Sequence, residues 1–214
     1  MSTRKAEAIW VLLGVPLIIA GFAVNPGPST SDTTPQLVAY GLHHQTALTV
    51  GGWLQVTGTV LTMIFAISIV VFARRASSLQ GVLVILGSAI LVAVNLSELT
   101  AYKVLATGHV STVRAAVDVI SGVQLGYSIV AAPVIFGALG YLVLETEILP
   151  KAFGYSALGL GLIFWVCGLI TVITSIQGFI NVLSAVQALW WLSAGVFIAV
   201  RGMSSMETEP SLPG

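Results

Sequence analysis

Three polar residues near the end of an apolar segment are the strongest candidates for chemistry in this 214-residue chain. Asn95, Glu98 and Tyr102 are three and four positions apart, which places all three on one face of a helix. An acidic side chain inside such a segment must be paired or must face a polar cavity. We therefore expect Glu98 either to contact a ligand or a proton, or to join helices by pairing with Lys103 or a histidine.

A second acidic residue lies near the start of the next apolar segment. Asp118 follows Arg114 by four positions, so the two side chains are predicted to form an ion pair on one helical face. Gln124 lies further along the same segment. Glu98 and Asp118 could act together as an acid and a base. Alternatively, the Arg114–Asp118 pair has a structural role and fixes two helices together.

The three histidines, His43, His44 and His109, lie on the same predicted side of the membrane as Glu98 and Asp118. Adjacent histidines on a helix point about 100° apart, which disfavours a shared metal ion. The chain has neither an H-x-x-x-H nor an H-E-x-x-H spacing. We therefore expect interfacial hydrogen bonding by the histidines, and no metal, haem or other cofactor.

The segment before the second apolar run is predicted to begin a helix. Thr34-Pro35 is typical of a helix N-cap followed by proline at the first helical position. This helix would carry Tyr40, His43 and His44 at the interface and would break or bend near Gly51-Gly52. An alternative is a short interfacial helix on the outer surface. Below His44, a stripe of small and polar residues that includes Gln55 runs inward.

The composition explains why these few polar residues stand out. The chain is 57% hydrophobic and 7% charged, with eight basic and eight acidic residues and a mean hydropathy of +1.01. A soluble domain carries roughly 25% charged residues. Intrinsic disorder needs low hydrophobicity, and nucleic-acid binding needs a basic patch. The composition therefore predicts an integral membrane protein and excludes these other classes.

Six apolar segments are long enough to cross a bilayer, which needs about 20 helical residues. The sequence thus predicts an all-α bundle of six transmembrane helices. We expect residues 1–201 to form a single domain and residues 202–214 to form a disordered cytoplasmic tail. The predicted spans cover about residues 8–24, 47–73, 81–99, 115–144, 153–175 and 182–200.

The orientation follows from the distribution of Lys and Arg, which are enriched in cytoplasmic loops. This rule predicts that both termini are cytoplasmic and that the protein is a multi-pass protein of the cell membrane. Six basic residues then lie inside and two outside: Arg4, Lys5, Arg74, Arg75, Lys151 and Arg201 against Lys103 and Arg114.

Small residues with helical spacing predict where helices pack closely. Gly122 and Gly126 form a G-x-x-x-G motif in the fourth span, which is typical of close helix contact. Gly154, Gly161 and Gly168 form a stripe with a seven-residue spacing in the fifth span. We expect both sets to mark contacts between helices of the bundle.

Large and rigid residues also occur deep in the spans. Trp165, Trp190 and Trp191 lie far from the predicted interfaces, where tryptophan is usually found. They either form the wall of a ligand cavity or fill the core of the bundle. Pro16 and Pro133 occur in similar short sequences and indicate either an inverted repeat or two independent helix kinks.

Three functional hypotheses follow from these patterns. The first is binding, and by extension transport, of a lipid-like or small amphipathic ligand at a polar site near the outer face. The alternatives are a structural or accessory subunit of a membrane complex and an intramembrane enzyme using the outer carboxylates and histidines. Expected partners are membrane lipid, the lipid-like ligand, and a membrane protein or a second copy of the chain. No catalytic residue is assigned. The expected ligand-binding residues are His44, Gln55, Asn95, Glu98, Tyr102, Arg114, Asp118 and Gln124.

Overall fold

A computed structural model gives an all-α architecture, and it describes residues 3–25, 27–29, 31–174 and 178–204. All regular elements in these residues are helical. They are α1 (Thr3–Val24), α2 (Thr34–His43), α3 (Gln45–Phe72), α4 (Leu79–Ala106), α5 (Val113–Gly126), a π-helical turn (Tyr127–Ala131), α6 (Ala132–Thr146), α7 (Lys151–Thr174) and α8 (Gly178–Ser204).

Six helical stretches are long and apolar enough to span a membrane, which confirms the predicted six-helix membrane bundle. Because the number of spans is even, the described ends of the chain lie on one side. We call this side the terminal side and the opposite side, predicted to face outward, the distal side. The spans are Glu7–Val24, Gln45–Phe72, Leu79–Ala106, Val113–Thr146, Lys151–Ile173 and Val182–Arg201.

Some helices extend beyond the predicted spans. The helix α4 continues past residue 99 to Ala106, because Tyr102 and Leu105 on its last turns are buried against neighbouring elements. At the other end, the Ser78 side chain caps α4 by accepting a hydrogen bond of 3.1 Å from the Gly81 amide. The helix α8 continues to Ser204, and the rest of the predicted tail lies outside the described residues.

The spans pack in a ring that follows the order of the chain. Each span contacts the next one, and α8 returns to contact α1. The helices α5 and α6 and the π-helical turn between them act as one span between α4 and α7. Short connections favour this arrangement because they keep consecutive helices adjacent.

Aromatic side chains fill the interior of the ring toward the terminal side. Phe136 lies at the centre of this cluster, with its ring centre 5.4 Å from the ring centres of Trp190 and Trp191. Trp190 Nε1 donates to the Phe153 carbonyl oxygen at 3.2 Å, so its polar atom is satisfied. Both tryptophans therefore fill the core, whereas Trp165 is 47% exposed on the outside of the bundle.

Glycines bring α1 and α3 into backbone contact. Gly14 and Gly21 on α1 face Gly58 and Gly51 on α3. A Cβ atom at Gly21 would lie 2.7 Å from the Gly51 carbonyl oxygen and 2.9 Å from the Gln55 amide nitrogen. No larger residue fits this contact without movement of the backbone. In a bilayer, such close packing replaces the hydrophobic effect as the main attraction between helices.

The predicted glycine stripe in α7 is confirmed, but the G-x-x-x-G motif in α5 is not. A Cβ atom at Gly154, Gly161 or Gly168 would approach atoms of α6 or of the π-helical turn. At Gly122 and Gly126 a Cβ atom would meet no neighbouring atom of the described residues within 4 Å. The prediction that these two glycines mark a contact within the bundle is therefore wrong.

The π-helical turn lies directly before Pro133. Proline lacks an amide hydrogen, and its ring clashes with the carbonyl four residues earlier in a regular α-helix. A wider turn removes this clash, and Ala132 correspondingly donates to the Tyr127 carbonyl oxygen, five residues back. In contrast, α1 remains α-helical through Pro16. This difference favours two independent proline sites over an inverted repeat.

The predicted helix start near Pro35 is confirmed, but the N-cap is Thr33, one residue before the predicted Thr34. Gln36 Oε1 accepts hydrogen bonds from the Thr33 amide at 2.8 Å and the Thr33 hydroxyl at 2.7 Å. The chain then breaks at His44, and α3 continues as a regular helix through Gly51-Gly52. The predicted break or bend at these glycines is therefore wrong, because the break lies at His44 and the glycines provide space for neighbouring helices.

Candidate functional site

Glu98 is the one acidic side chain that is buried among the described residues, at 7% exposure. Its Oε1 atom accepts a hydrogen bond of 2.9 Å from the Tyr102 hydroxyl, one turn further along α4. The same atom accepts a hydrogen bond of 3.2 Å from Gln124 Nε2 on α5. The shared face of Glu98 and Tyr102 is therefore as predicted, and the neighbouring span adds the third member.

Two buried amide side chains lie at the same level of the bundle. Asn25, just after α1, is 1% exposed and lies beside the Tyr102 hydroxyl. Gln55 on α3 is 2% exposed. Gln55 Nε2 has no hydrogen-bond partner among the described residues, and Asn25 Nδ2 has none of good geometry although it lies beside the Tyr102 hydroxyl. We call Asn25, Gln55, Glu98, Tyr102 and Gln124 together the distal polar cluster.

The glycines of α3 position this cluster. A Cβ atom at Gly51 would overlap with the Asn25 side chain. On the adjacent position, a Cβ atom at Gly52 would lie 3.2 Å from Tyr102 Cδ2. These two glycines therefore allow the end of α1 and the end of α4 to approach α3 from different sides. The small residues of the predicted polar stripe thus bring polar groups from three spans together.

Asn95 lies one turn deeper than Glu98 and belongs to a separate, satisfied contact. The Thr59 hydroxyl donates to Asn95 Oδ1 at 3.3 Å, and Asn95 Nδ2 donates to the Leu91 carbonyl oxygen at 3.0 Å. Its oxygen and its amide nitrogen are thus already in use. Asn95 therefore joins α3 to α4 beneath the distal polar cluster.

His44 lies at the rim, where α2 meets α3. Its ring centre is 4.5 Å from that of Tyr40, and it is half-buried, whereas His43 and His109 are exposed. Burial and, secondly, the negative charge of Asp32 raise the pKa of Tyr40 above its usual value of 10.0. The short helix α2 contacts α3, α4 and α5 at the distal end of the bundle, and His44 packs beside Tyr40 where α2 meets α3.

Arg114 and Asp118 are placed differently from the prediction. Arg114 Nη2 donates to the backbone oxygen of Asp32 at 2.5 Å, which anchors the chain before α2. Asp118 is exposed. The ion pairs between described residues are both on the terminal side, joining Arg75 to Glu145 at 3.0 Å and Lys151 to Glu147 at 3.4 Å. The predicted Arg114–Asp118 pair is therefore wrong.

The predicted basic partner of Glu98 is also wrong. Lys103 and His109 are exposed, and the groups that bond Glu98 are the neutral side chains of Tyr102 and Gln124. Helix geometry explains why Tyr102 rather than Lys103 bonds Glu98. Tyr102 follows Glu98 by about one turn and shares its helix face, whereas Lys103 is rotated away from that face. Among the described residues, the groups that stabilise a negative charge on Glu98 are therefore the dipoles of these two neutral side chains.

Asn25 is the member of the cluster that the sequence interpretation missed. In the sequence it belongs to Asn25-Pro26-Gly27-Pro28, a run of residues that is typical of the end of a span. One feature of the sequence could have identified it: Asn25 follows Gly21 by four positions, which places both residues on the same face of α1. Its Oδ1 atom also accepts a hydrogen bond of 3.1 Å from the Gly27 amide, which closes the helix end.

Within the part of the chain that the structure describes, no group of three or more His, Cys, Asp or Glu residues is arranged to hold a metal ion. In comparisons with known proteins, no protein-family model, curated protein or solved structure matches the chain. A functional proposal therefore depends on the geometry of the distal polar cluster.

Proposed function

We propose that this protein binds a small amphipathic or lipid-like ligand whose polar head lies in the distal polar cluster. The observation that carries the proposal is the burial of Glu98 without a basic partner among the described residues, in the same distal part of the bundle as the buried amides of Asn25 and Gln55. A buried polar group without a partner costs about 1–3 kcal/mol. A ligand that satisfies these groups would recover this free energy on binding.

The chemistry of the cluster defines the ligand head. Glu98 can accept hydrogen bonds, so the head should carry a donor such as an amine or a hydroxyl group. The amide nitrogens of Asn25 and Gln55 are donors, so the head should also carry an acceptor oxygen. The apolar part of the ligand would contact the apolar helices around the cluster.

The setting proposed for this function is the cell membrane, with both termini in the cytoplasm. The distribution of Lys and Arg supports this orientation, because six of the eight lie on the terminal side. The distal polar cluster would then open toward the outer half of the bilayer. Transport of the same ligand remains an extension of the binding proposal.

Native mass spectrometry after mild extraction from the membrane tests the proposal. We expect a small-molecule adduct on the wild-type protein and at least about tenfold less adduct on Glu98→Gln, because a hydrogen bond to a charged group contributes about 1.5–3 kcal/mol. The Gln side chain can still accept from Tyr102 and Gln124, so this variant should fold. Asp118→Asn is the matched control, since Asp118 is an exposed acidic residue.

The same spectra separate this function from the two alternatives. Equal adduct on wild-type protein and Glu98→Gln contradicts the proposal. A co-purifying membrane protein without a small-molecule adduct would instead indicate an accessory subunit. A stoichiometric metal ion would indicate an enzyme. Thermal unfolding of each variant shows whether a lost adduct reflects lost folding.

A further inference from the structure

Two adjoining depressions lie on the terminal side, far along the chain from the distal polar cluster. Their volumes are about 340 Å³ and about 280 Å³, and Glu147 and Arg201 line both of them. The larger depression lies between the start of α7 and the last turns of α8. The smaller one extends toward Phe72 at the end of α3. This surface takes no part in the proposed function.

The charged residues that line these depressions leave a net positive charge. Lys151 and Arg201 line the depressions together with Glu147, so two positive charges less one negative charge leave +1. Over all side chains that the structure describes on this side, four basic residues less three acidic residues also leave +1: Arg74, Arg75, Lys151 and Arg201 against Glu7, Glu145 and Glu147. Arg201 forms no ion pair with the described residues. Its guanidinium carbon lies 6.0 Å from the centre of the Phe197 ring.

The start of α7 adds a further positive contribution. This helix has 24 residues and begins at Lys151, which lines the larger depression together with Pro150. The first amide groups of a helix carry a partial positive charge and bind phosphate groups well. The Lys151 side chain is held near Glu147 at 3.4 Å, but both side chains are exposed, so this pair is weak and easily exchanged.

The walls of the larger depression are partly apolar. Phe197 on α8 and Leu149 before α7 lie next to the charged groups. A site that combines a basic edge with an apolar wall at the end of membrane spans suits a molecule that has an anionic head and acyl chains. Basic pockets between spans on the cytoplasmic side bind the head groups of acidic lipids in this way.

We propose that this surface, which we call the terminal-side basic depression, binds the head group of an anionic phospholipid. The lipid phosphate would contact Arg201, Lys151 and the start of α7, and an acyl chain would lie along Phe197. Glu147 competes with the phosphate for Lys151. The occupant is a lipid rather than a soluble phosphate because the apolar wall adjoins the basic edge.

A lipid titration monitored by native mass spectrometry tests this site on the full chain. We expect phosphatidylglycerol to bind more tightly than phosphatidylcholine with the same acyl chains, and Arg201→Gln to weaken phosphatidylglycerol binding about tenfold. Arg74→Gln is the matched control, because Arg74 is an exposed arginine that does not line either depression. Glu147→Gln should strengthen binding, because it removes the competing carboxylate.

Three results would overturn this inference. The first is equal affinity of the wild-type protein for the two lipids. The second is an equal loss of affinity in Arg74→Gln and Arg201→Gln, which would indicate a diffuse surface charge. The third is inorganic phosphate that binds as tightly as phosphatidylglycerol. Because Glu147→Gln is expected to increase affinity, a general loss of folding cannot imitate the predicted pattern.

Discussion

The Tyr102 hydroxyl donates a hydrogen bond of 2.9 Å to Glu98 Oε1, and both side chains are buried on the distal half of α4. Gln124 on α5 donates to the same oxygen atom. This contact therefore has two consequences. It joins two spans, and it holds a carboxyl group at a fixed position inside the bundle.

Removing the Tyr102 hydroxyl should destabilise the fold. Tyr102→Phe leaves the Glu98 oxygen with one donor fewer in a buried setting, so we expect a loss of about 1–2 kcal/mol in the free energy of unfolding. Reversible unfolding in detergent micelles measures this value. In a Glu98→Ala background the same substitution should cost less, because the acceptor is gone. Equal costs in the two backgrounds would show that the hydrogen bond contributes nothing.

Substitution of glycine by alanine should have opposite effects at two positions. Gly21→Ala forces a Cβ atom against the α3 backbone and should cost about 1–3 kcal/mol. Gly122→Ala adds a Cβ atom in open space inside a helix and should be neutral or stabilise by up to about 1 kcal/mol. Thermal unfolding compares the two. A lower melting temperature for Gly122→Ala than for Gly21→Ala would contradict the packing described here.

The two tryptophan environments predict different tolerance to substitution. Trp190→Phe removes the Nε1 donor to the Phe153 carbonyl oxygen and to Ser156 Oγ, and it leaves a space in the aromatic core. We expect a loss of about 1–3 kcal/mol. Trp165→Phe, at an exposed position, should change stability by less than about 0.5 kcal/mol. Similar losses in unfolding experiments on both variants would contradict the assignment of Trp190 to the core.

Tyr40 should make stability depend on pH in the alkaline range. Its pKa is raised above 10.0 by burial and then by Asp32, so the folded state holds the phenolic proton more tightly than the unfolded state. The protonated Tyr40 side chain therefore contributes to the free energy of unfolding. This contribution is fully present below pH 10 and is lost as the pH rises through the folded-state pKa. Phenolate absorbance of the wild-type protein minus Tyr40→Phe gives the midpoint. Asp32→Asn should lower the midpoint but keep it above 10, and a wild-type midpoint at or below 10 would contradict the predicted shift.

The sequence predicts the membrane spans well, because each span is a continuous apolar run and its length is set by the bilayer. It also predicts the shared face of Glu98 and Tyr102, because spacing within one helix fixes their relative direction. The α7 glycine stripe is confirmed for the same reason. These features depend on residues that are close in the chain.

Features that depend on contacts between helices were harder to predict. Gly122 and Gly126 have the correct spacing for close packing, but a Cβ atom at either position would meet none of the described residues within 4 Å. Arg114 has the correct spacing to pair with Asp118, but the backbone oxygen of Asp32 provides a closer partner. Asn25 enters the site only because α1 and α3 approach each other at their glycines. None of these neighbours can be identified from periodicity in one segment.

The most direct test of the proposed function is a density map of the protein extracted mildly from its membrane, compared with one of Glu98→Gln. We predict density for a small molecule within hydrogen-bonding distance of Glu98 and of the amide nitrogens of Asn25 and Gln55, and its absence in the variant. A wild-type map in which Glu98 contacts Tyr102 and Gln124 and no further group would contradict the proposal. The same conclusion would follow if the density were unchanged in Glu98→Gln.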